Sequence, residues 1–499
     1  MELFSTGLHV ILSKADLTRT LRCKKLEYLF RNETALGNSE SFSNESLKDQ
    51  GVEVGLLARE LFINGHDLGH IESLAEASAE TRELIQTSGT LFEAAFETES
   101  TGCRVDILET TSQGLDIFEV KSSTKNRPDY LIELAFQWYT IVESGHTVRD
   151  AYLIHIHPGY VLPEGREIVA KEFFVTVKQT DEVRAILPQI KEQVRAVKAM
   201  LSETFPPIQL TDSRCRNPYK CPFHDHCHAD VSDTNIQYLP SLTADDVENY
   251  RKRGIHDISQ IPESKDLSLQ QAKVRQVITS GQPHVSPRAK SLIRQLRYPI
   301  AFIDFEAANP AIPLLPGMKP YQPLPFQWSC HILKDHRSEP VHLSFLGLDE
   351  DDPRAAFVQS LEEALQNVET IIHYSNYEIT LLGGLKEQGY SAAGDLAVRM
   401  KTRGCDLHRV LRENIYLQEF KGSFSIKNVL PALVPDVSYD SLAIGDGLQA
   451  SAAFLEVRKD PDPAKLEQTR RELLEYCRLD TWAMVLLKRR ILEMTPNQA

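Results

Sequence analysis

Two stretches of this chain read as β-strands that carry carboxylates, and they lie in different halves of it. In the first half, Arg104-Val105-Asp106-Ile107-Leu108 and Leu115-Asp116-Ile117-Phe118-Glu119-Val120-Lys121 read as a strand pair joined by a turn at 110–114. In the second, Tyr298-Pro299-Ile300-Ala301-Phe302-Ile303-Asp304-Phe305-Glu306 is an apolar strand ending in two acids. Side chains alternate along a strand, so Glu119 and Lys121 share one face, as do Asp304 and Glu306. A hairpin centred near Ser112 sets Asp106 almost opposite Glu119. One such set arises by chance; two, in order and in separate halves, point to a chemistry built on paired carboxylates.

At 499 residues the chain is too long for one ordinary core. Mixed helix and strand patterns over 1–230 and 298–499 are separated by a polar, mainly helical stretch, 231–297. This stretch reads as a linker, or as a helix-hairpin-helix-like element around Gly254-Ile255. Its basic residues, Lys252, Arg253, Lys273, Arg275, Arg288, Lys290 and Arg294, suit a strand-guiding stripe or a solvated linker equally. A net charge of −15 argues against indiscriminate coating of duplexes. No apolar run approaches the ~20 residues of a membrane span. The first residues lack the basic and small-residue features of a secretory signal, so the expectation is a cytoplasmic protein.

Two carboxylates and an ammonium within a few ångströms suit Mg²⁺ or Mn²⁺, which take hard oxygen ligands. A surface salt bridge on a hairpin produces the same loose pattern. Context adds to it: Glu93 precedes the hairpin on an apolar segment, and a helix over 130–144 carries Gln137 and stops at Gly145. Glu93, Asp106, Glu119, Lys121 and Gln137 in this order resemble the PD-(D/E)xK nucleases of the RecB type, including the CRISPR-associated members. The resemblance implies a restriction-endonuclease-like N-terminal domain. The family's tyrosine four residues after the glutamine is replaced by Ile141, with Tyr139 as the candidate substitute.

Of the eight cysteines, Cys103, Cys330, Cys405 and Cys477 read as ordinary buried thiols. Cys215, Cys221 and Cys227 are each separated by five residues, and Cys23 lies near the N-terminus. One early cysteine and three after the nuclease core is the arrangement of the iron–sulfur members of the RecB-type group. It implies a [4Fe–4S] cluster on four thiolates. The family's commonest spacing is tighter, and His224, His226 and His228 are interleaved here, so zinc stands as the alternative.

In the second half, strand-like stretches near 326–333 and 341–348, a helix near 353–365 and a strand at 370–374 give a β-β-β-α-β order. A long helix is expected over 465–494, with Tyr476 and Asp480 on one face. Asp304, Glu306, Glu378 (in His373-Tyr374-Ser375-Asn376-Tyr377-Glu378), Tyr476 and Asp480 resemble the DEDD exonucleases of the DnaQ type with a Tyr-x(3)-Asp last motif. Asp406 is a further acidic candidate. Glu378 stands where aspartate is usual and Tyr374 where asparagine is common; Ser423-Phe424-Ser425-Ile426-Lys427 is similar to the family's Ser-Leu-Lys stretch. The resemblance implies an RNase H-like C-terminal domain. Together the two resemblances imply a two-centre, Mg²⁺- or Mn²⁺-dependent nuclease acting on single-stranded ends, DNA ahead of RNA, in repair or defence. A helicase or defence-system protein is the implied partner. The alternative is a nucleic-acid-binding module with one or both centres inactive.

Overall fold

The computed structural model describes residues 10–38, 42–165, 167–217, 219–263, 266–349, 351–439, 441–459 and 462–495. The chain is mixed α/β, with two large sheets that share no strands. The first runs in sequence order through β1 (His66–Asp67), β2 (Thr90–Glu97), β3 (Gly102–Thr111), β4 (Gly114–Lys121), β5 (Val148–Ile156) and β6 (Phe174–Lys178). Neighbours are antiparallel except β1–β2 and β4–β5. Helices α1 (Lys14–Arg22) and α2 (Lys24–Asn32) precede this sheet.

Its core has two sides. Helices Pro128–Glu143 and Thr180–Leu201 cover one face, with Val105, Ile117 and Leu153 packed beneath Phe136 and Ile141. On the other face, Ile107, Phe118 and Ile154 pack with Val54 and Ala58. The helix Pro128–Glu143 starts on Pro128 at its first turn and closes at Gly145, whose φ of 94° suits glycine.

The stretch read as a linker contributes apolar residues to a core. Ile236, Val247, Ile258, Val274, Val277 and Ile293 enter the same core as the second sheet. Its strand β7 (His284–Val285) pairs with a later strand, and Lys273 and Arg275 donate to the backbone carbonyls of Arg412, Glu413 and Ile261. Apolar positions scattered between polar ones hid this packing. The turn at Gly254 is present, with φ 77°, but only a three-residue 3₁₀ turn, Ile258–Gln260, follows it before the helix Leu269–Ser280.

The second sheet contains β8 (Ile300–Ala308), β9 (Leu324–Leu333), β10 (Val341–Leu346), β11 (Thr370–His373) and β12 (Gly404–Asp406), in spatial order β10-β9-β8-β11-β12. The strand β13 (Ile415–Tyr416) pairs with β7 outside it. Along β8, Ala301, Ile303 and Phe305 face one core while Ile300 and Phe302 face the other, beneath the long helix Pro463–Glu493. Asp304 and Glu306 continue that second set.

The connection from β8 to β9 reaches the first unit. Ala311 N donates to Gln50 Oε1 at 2.9 Å, and Leu162 N donates to Met318 O at 2.9 Å. The Tyr321 hydroxyl donates to Ser122 O, one residue past Lys121. No helix among the described residues is long and apolar enough to cross a membrane.

Candidate functional sites

Strand order explains how the first carboxylates meet. β3 pairs with β4 through Ile107–Phe118, and the next step of that register sets Asp106 opposite Glu119. The ladder opens there, so Val120 N donates to Asp106 Oδ2 at 2.7 Å. On the other side of β3, Phe92 and Ile107 belong to one core and Ala94 and Val105 to the other. The alternation therefore flips across Glu93 and Asp106. The flip is made by Glu93, a non-glycine residue with φ 56°. Such a conformation costs on the order of 1 kcal/mol, and side-chain patterning could not reveal it.

Around Glu119 the charges are dense. Oε1 accepts from Lys14 Nζ at 2.6 Å and from Lys121 Nζ at 2.7 Å, and Oε2 accepts from Gln137 Nε2. Lys121 also donates to Glu133 at 2.7 Å. Tyr130, Glu133 and Gln137 recur at helical spacing, which brings one face of the helix Pro128–Glu143 over the strand ends. Burial would raise the Glu119 carboxyl, but Lys121 and Lys14 outweigh it and hold it well below the usual range. Asp106, buried and beside Glu119 without an ammonium of its own, is pushed up. Glu93, raised by burial, meets Arg59 at 3.3 Å.

Lys14 and Glu133 were missed in the sequence. The spacing of Glu133 to Gln137 was a usable signal; Lys14, 105 positions from Glu119, offered none. Tyr139 is not at this site. It packs into the core beneath the helices, where burial and the charge of Glu143 raise its hydroxyl.

Cys23, Cys215, Cys221 and Cys227 line one cavity with Leu26, Leu29 and Phe223. Arg22 ties the two ends of the chain segment together by donating to Arg214 O at 2.8 Å and Tyr219 O at 2.6 Å. Of the histidines, His224 also lines this cavity. His224 contacts Asp225 at 2.9 Å through Nδ1 and Arg216 at 3.2 Å through Nε2, His228 Nδ1 bonds His224 O at 2.8 Å, and His226 is exposed.

At the second sheet, Asp304, Glu306 and Cys477 bring one oxygen or sulfur each within 4.8 Å of the others. Among the described residues no other three such donors come so close. Cys477, expected to be an ordinary buried thiol, is buried, but its Sγ lies 3.6 Å from Asp304 Oδ2. Asp480 accepts from the Tyr439 hydroxyl at 2.6 Å, a partner absent from the sequence motif. Glu378 enters from the first turn of helix Tyr377–Glu387; it is 3% exposed, and its Oε2 has no hydrogen-bond partner. Burial and mutual repulsion raise Asp304 and Glu306; burial also raises Glu378 and Asp480. Lys427 Nζ lies 5.6 Å from the Tyr476 ring centroid, and its charge acts on Glu306 and Asp480. Burial keeps the Tyr476 hydroxyl protonated.

Asp406 has a structural task. It caps the helix Leu407–Asn414, its Oδ1 accepting from Arg409 N at 2.9 Å, although its charge still reaches Glu378. Tyr374 donates to Phe424 O at 2.8 Å.

Residues 301–425, about a quarter of the chain, match a family described as a domain of unknown function (DUF2779). The match spans Asp304, Glu306, Glu378 and Asp406 and ends before Tyr476 and Asp480. No curated protein and no solved structure matches the chain.

Proposed function

We propose that this chain is a metal-dependent nuclease with two hydrolytic centres that act on single-stranded ends, DNA ahead of RNA. The N-terminal unit is a PD-(D/E)xK domain similar to the RecB type, and the C-terminal unit is an RNase H-like domain similar to DnaQ. The observation that carries this reading is that Asp304, Glu306, Glu378 and Asp480 lie near enough for their charges to act on one another beside Tyr476. Four acids gathered in this way repel one another, and one keeps an unpartnered oxygen, so the set suits a hard divalent cation.

Asp304, Glu306, Glu378 and Asp480 would hold Mg²⁺ or Mn²⁺ at the second centre, and Glu93, Asp106 and Glu119 at the first. Such ions supply phosphate polarisation and a water of lowered pKa. Tyr476, beside Asp480 and kept protonated, has the proton needed to orient an attacking water. Lys427 offsets negative charge beside the acids. At the first centre, Lys121 fixes the Glu119 carboxylate, and Gln137 fixes its other oxygen.

The thiol cavity is read as the seat of an iron–sulfur cluster, with zinc as the alternative. Both nitrogens of His224 are engaged, which leaves the four thiols as the donors. Held by Cys23, Cys215, Cys221 and Cys227, a [4Fe–4S] cluster would clip the ends of the N-terminal unit together.

A second reading, in which the first centre only grips a strand, is favoured by one observation: both Glu119 oxygens are already engaged. Manganese-dependent digestion of 3′-labelled single strands by the intact chain and by Asp304→Ala tests the main reading. It requires cleavage by the intact chain and loss of 3′ trimming in the variant; trimming at the parent rate would refute the second centre.

A further inference from the structure

Helix α1 brings a second ammonium to the first centre, and the two ammoniums are not equivalent. Lys14 and Lys121 meet the same oxygen, Glu119 Oε1. Lys121 spends a second donor on Glu133 at 2.7 Å, whereas Lys14 stands 3.8 Å from that carboxylate. An ammonium offers three donors. Lys14 makes one short bond and keeps 30% of its side chain exposed, against 16% for Lys121. Lys14 is therefore the cation with donors to spare and access to solvent.

Its placement is also over-determined. Ser13 and Asp16 cap α1 reciprocally, and Arg19 and Arg31 hold Asp16. Leu12 is bonded by its N to Ser100 O at 3.0 Å and by its O to Gly102 N at 2.8 Å. The chain two residues before α1 is thus anchored to the start of β3, the strand that carries Asp106. Burial would lower the Lys14 pKa, but Glu119, Asp106 and Glu133 outweigh it, so the side chain stays charged.

We propose that Lys14 is the phosphate-contacting cation of the first centre. Its free donors bind a non-bridging oxygen of a phosphodiester brought against Asp106 and Glu119, while Lys121 stays with Glu119 and Glu133. This rests on reading the centre as a nuclease site.

The test uses the full chain in an Asp304→Ala background, which silences the second centre. A labelled single-stranded oligodeoxynucleotide is bound in Ca²⁺ and cut in Mn²⁺ by the parent, Lys14→Ala and Lys14→Arg. Lys14→Ala is expected to weaken binding about tenfold and slow cleavage on the order of 10²-fold. The slope of log affinity against log salt should fall by about 0.7, the contribution of one phosphate contact on a single strand. Lys14→Arg should keep most of the binding, and all three should melt alike. Unchanged affinity and slope in Lys14→Ala overturn the proposal. So does an equal loss in both variants with lowered melting, which marks a structural lysine. If the parent binds but does not cut, the nuclease reading of this centre fails, and affinity and slope alone decide Lys14. A parent that does not bind overturns both.

Discussion

Asp106 and Glu119 sit opposite each other in one hairpin, yet they are driven in opposite directions. Glu119 has two ammoniums and is held ionised; Asp106 is pushed up by burial and by the charge of Glu119, which outweigh the N–H of Val120. Removing Lys121 should leave Glu119 with Lys14 alone and Glu133 without its ammonium. Lys121→Ala is expected to slow the first centre on the order of 10²–10³-fold without unfolding the chain. Cleavage assigned with the second centre silenced checks this, and parent-like rates would contradict it. At this scale the sequence was informative wherever chemistry repeats at fixed spacing. Glu119, Lys121, Asp304, Glu306, Tyr476 and Asp480 stand where strand and helix periods carry them, whereas Asp106 reaches Glu119 at the point where the strand alternation flips. Lys14 and Tyr439 stayed hidden because they arrive across long stretches of chain. Tyr139 was misread because two residues short of a helical turn is a different face.

The long helix Pro463–Glu493 sets the second centre through a line of polar contacts spaced four residues apart. Gln327 Nε2 donates to Leu473 O at 2.8 Å, Cys477 touches Asp304, and Thr481 bonds Ser329 and His331, each at 2.8 Å. These contacts fix how far the helix has slid along β8 and β9, and so where Tyr476 and Asp480 stand. Thr481→Val leaves the buried Ser329 and His331 groups short of a partner, and should cost about 1–3 kcal/mol. It should also slow 3′ trimming while sparing the first centre. Denaturant titration and product analysis would check both, and full stability with normal trimming would contradict the account. The helix itself was readable in the sequence. Its contacts were not, since cysteine and threonine at apolar spacing look like core. A comparable lever acts at α1, whose far end is followed by Cys23. Cys221→Ser should lower melting of the N-terminal unit and reduce iron content, and unchanged values of both would count against a clip.

At the level of the whole molecule, the link between β8 and β9 ties the two units together, through Ala311, Met318 and Tyr321. The sequence placed the two mixed α/β halves but read the stretch between them as a linker or a helix-hairpin-helix-like element, not as part of a core. Partition of its apolar residues into a distant core is invisible without the partner surface. Charge also acts globally. In the metal-free chain Asp480 is raised to about 6 and Glu378 to about 8, chiefly by burial. Folded carboxyls then hold protons that the unfolded chain has released, so stability falls as pH rises through that window. Metal-free protein should melt lower at about pH 8 than at about pH 6. Asp480→Asn should flatten part of this difference, and saturating Mn²⁺ should abolish it; a slope of opposite sign that Asp480→Asn leaves unchanged would contradict the shifts. The central claim, two separate hydrolytic centres, is tested most directly by digesting end-labelled single-stranded DNA and RNA in Mn²⁺. The intact chain is compared with Lys121→Ala, Asp304→Ala and the double variant. The account predicts that each single variant loses a different product series and that the double variant cuts nothing. Full hydrolysis of every strand by the double variant would contradict it.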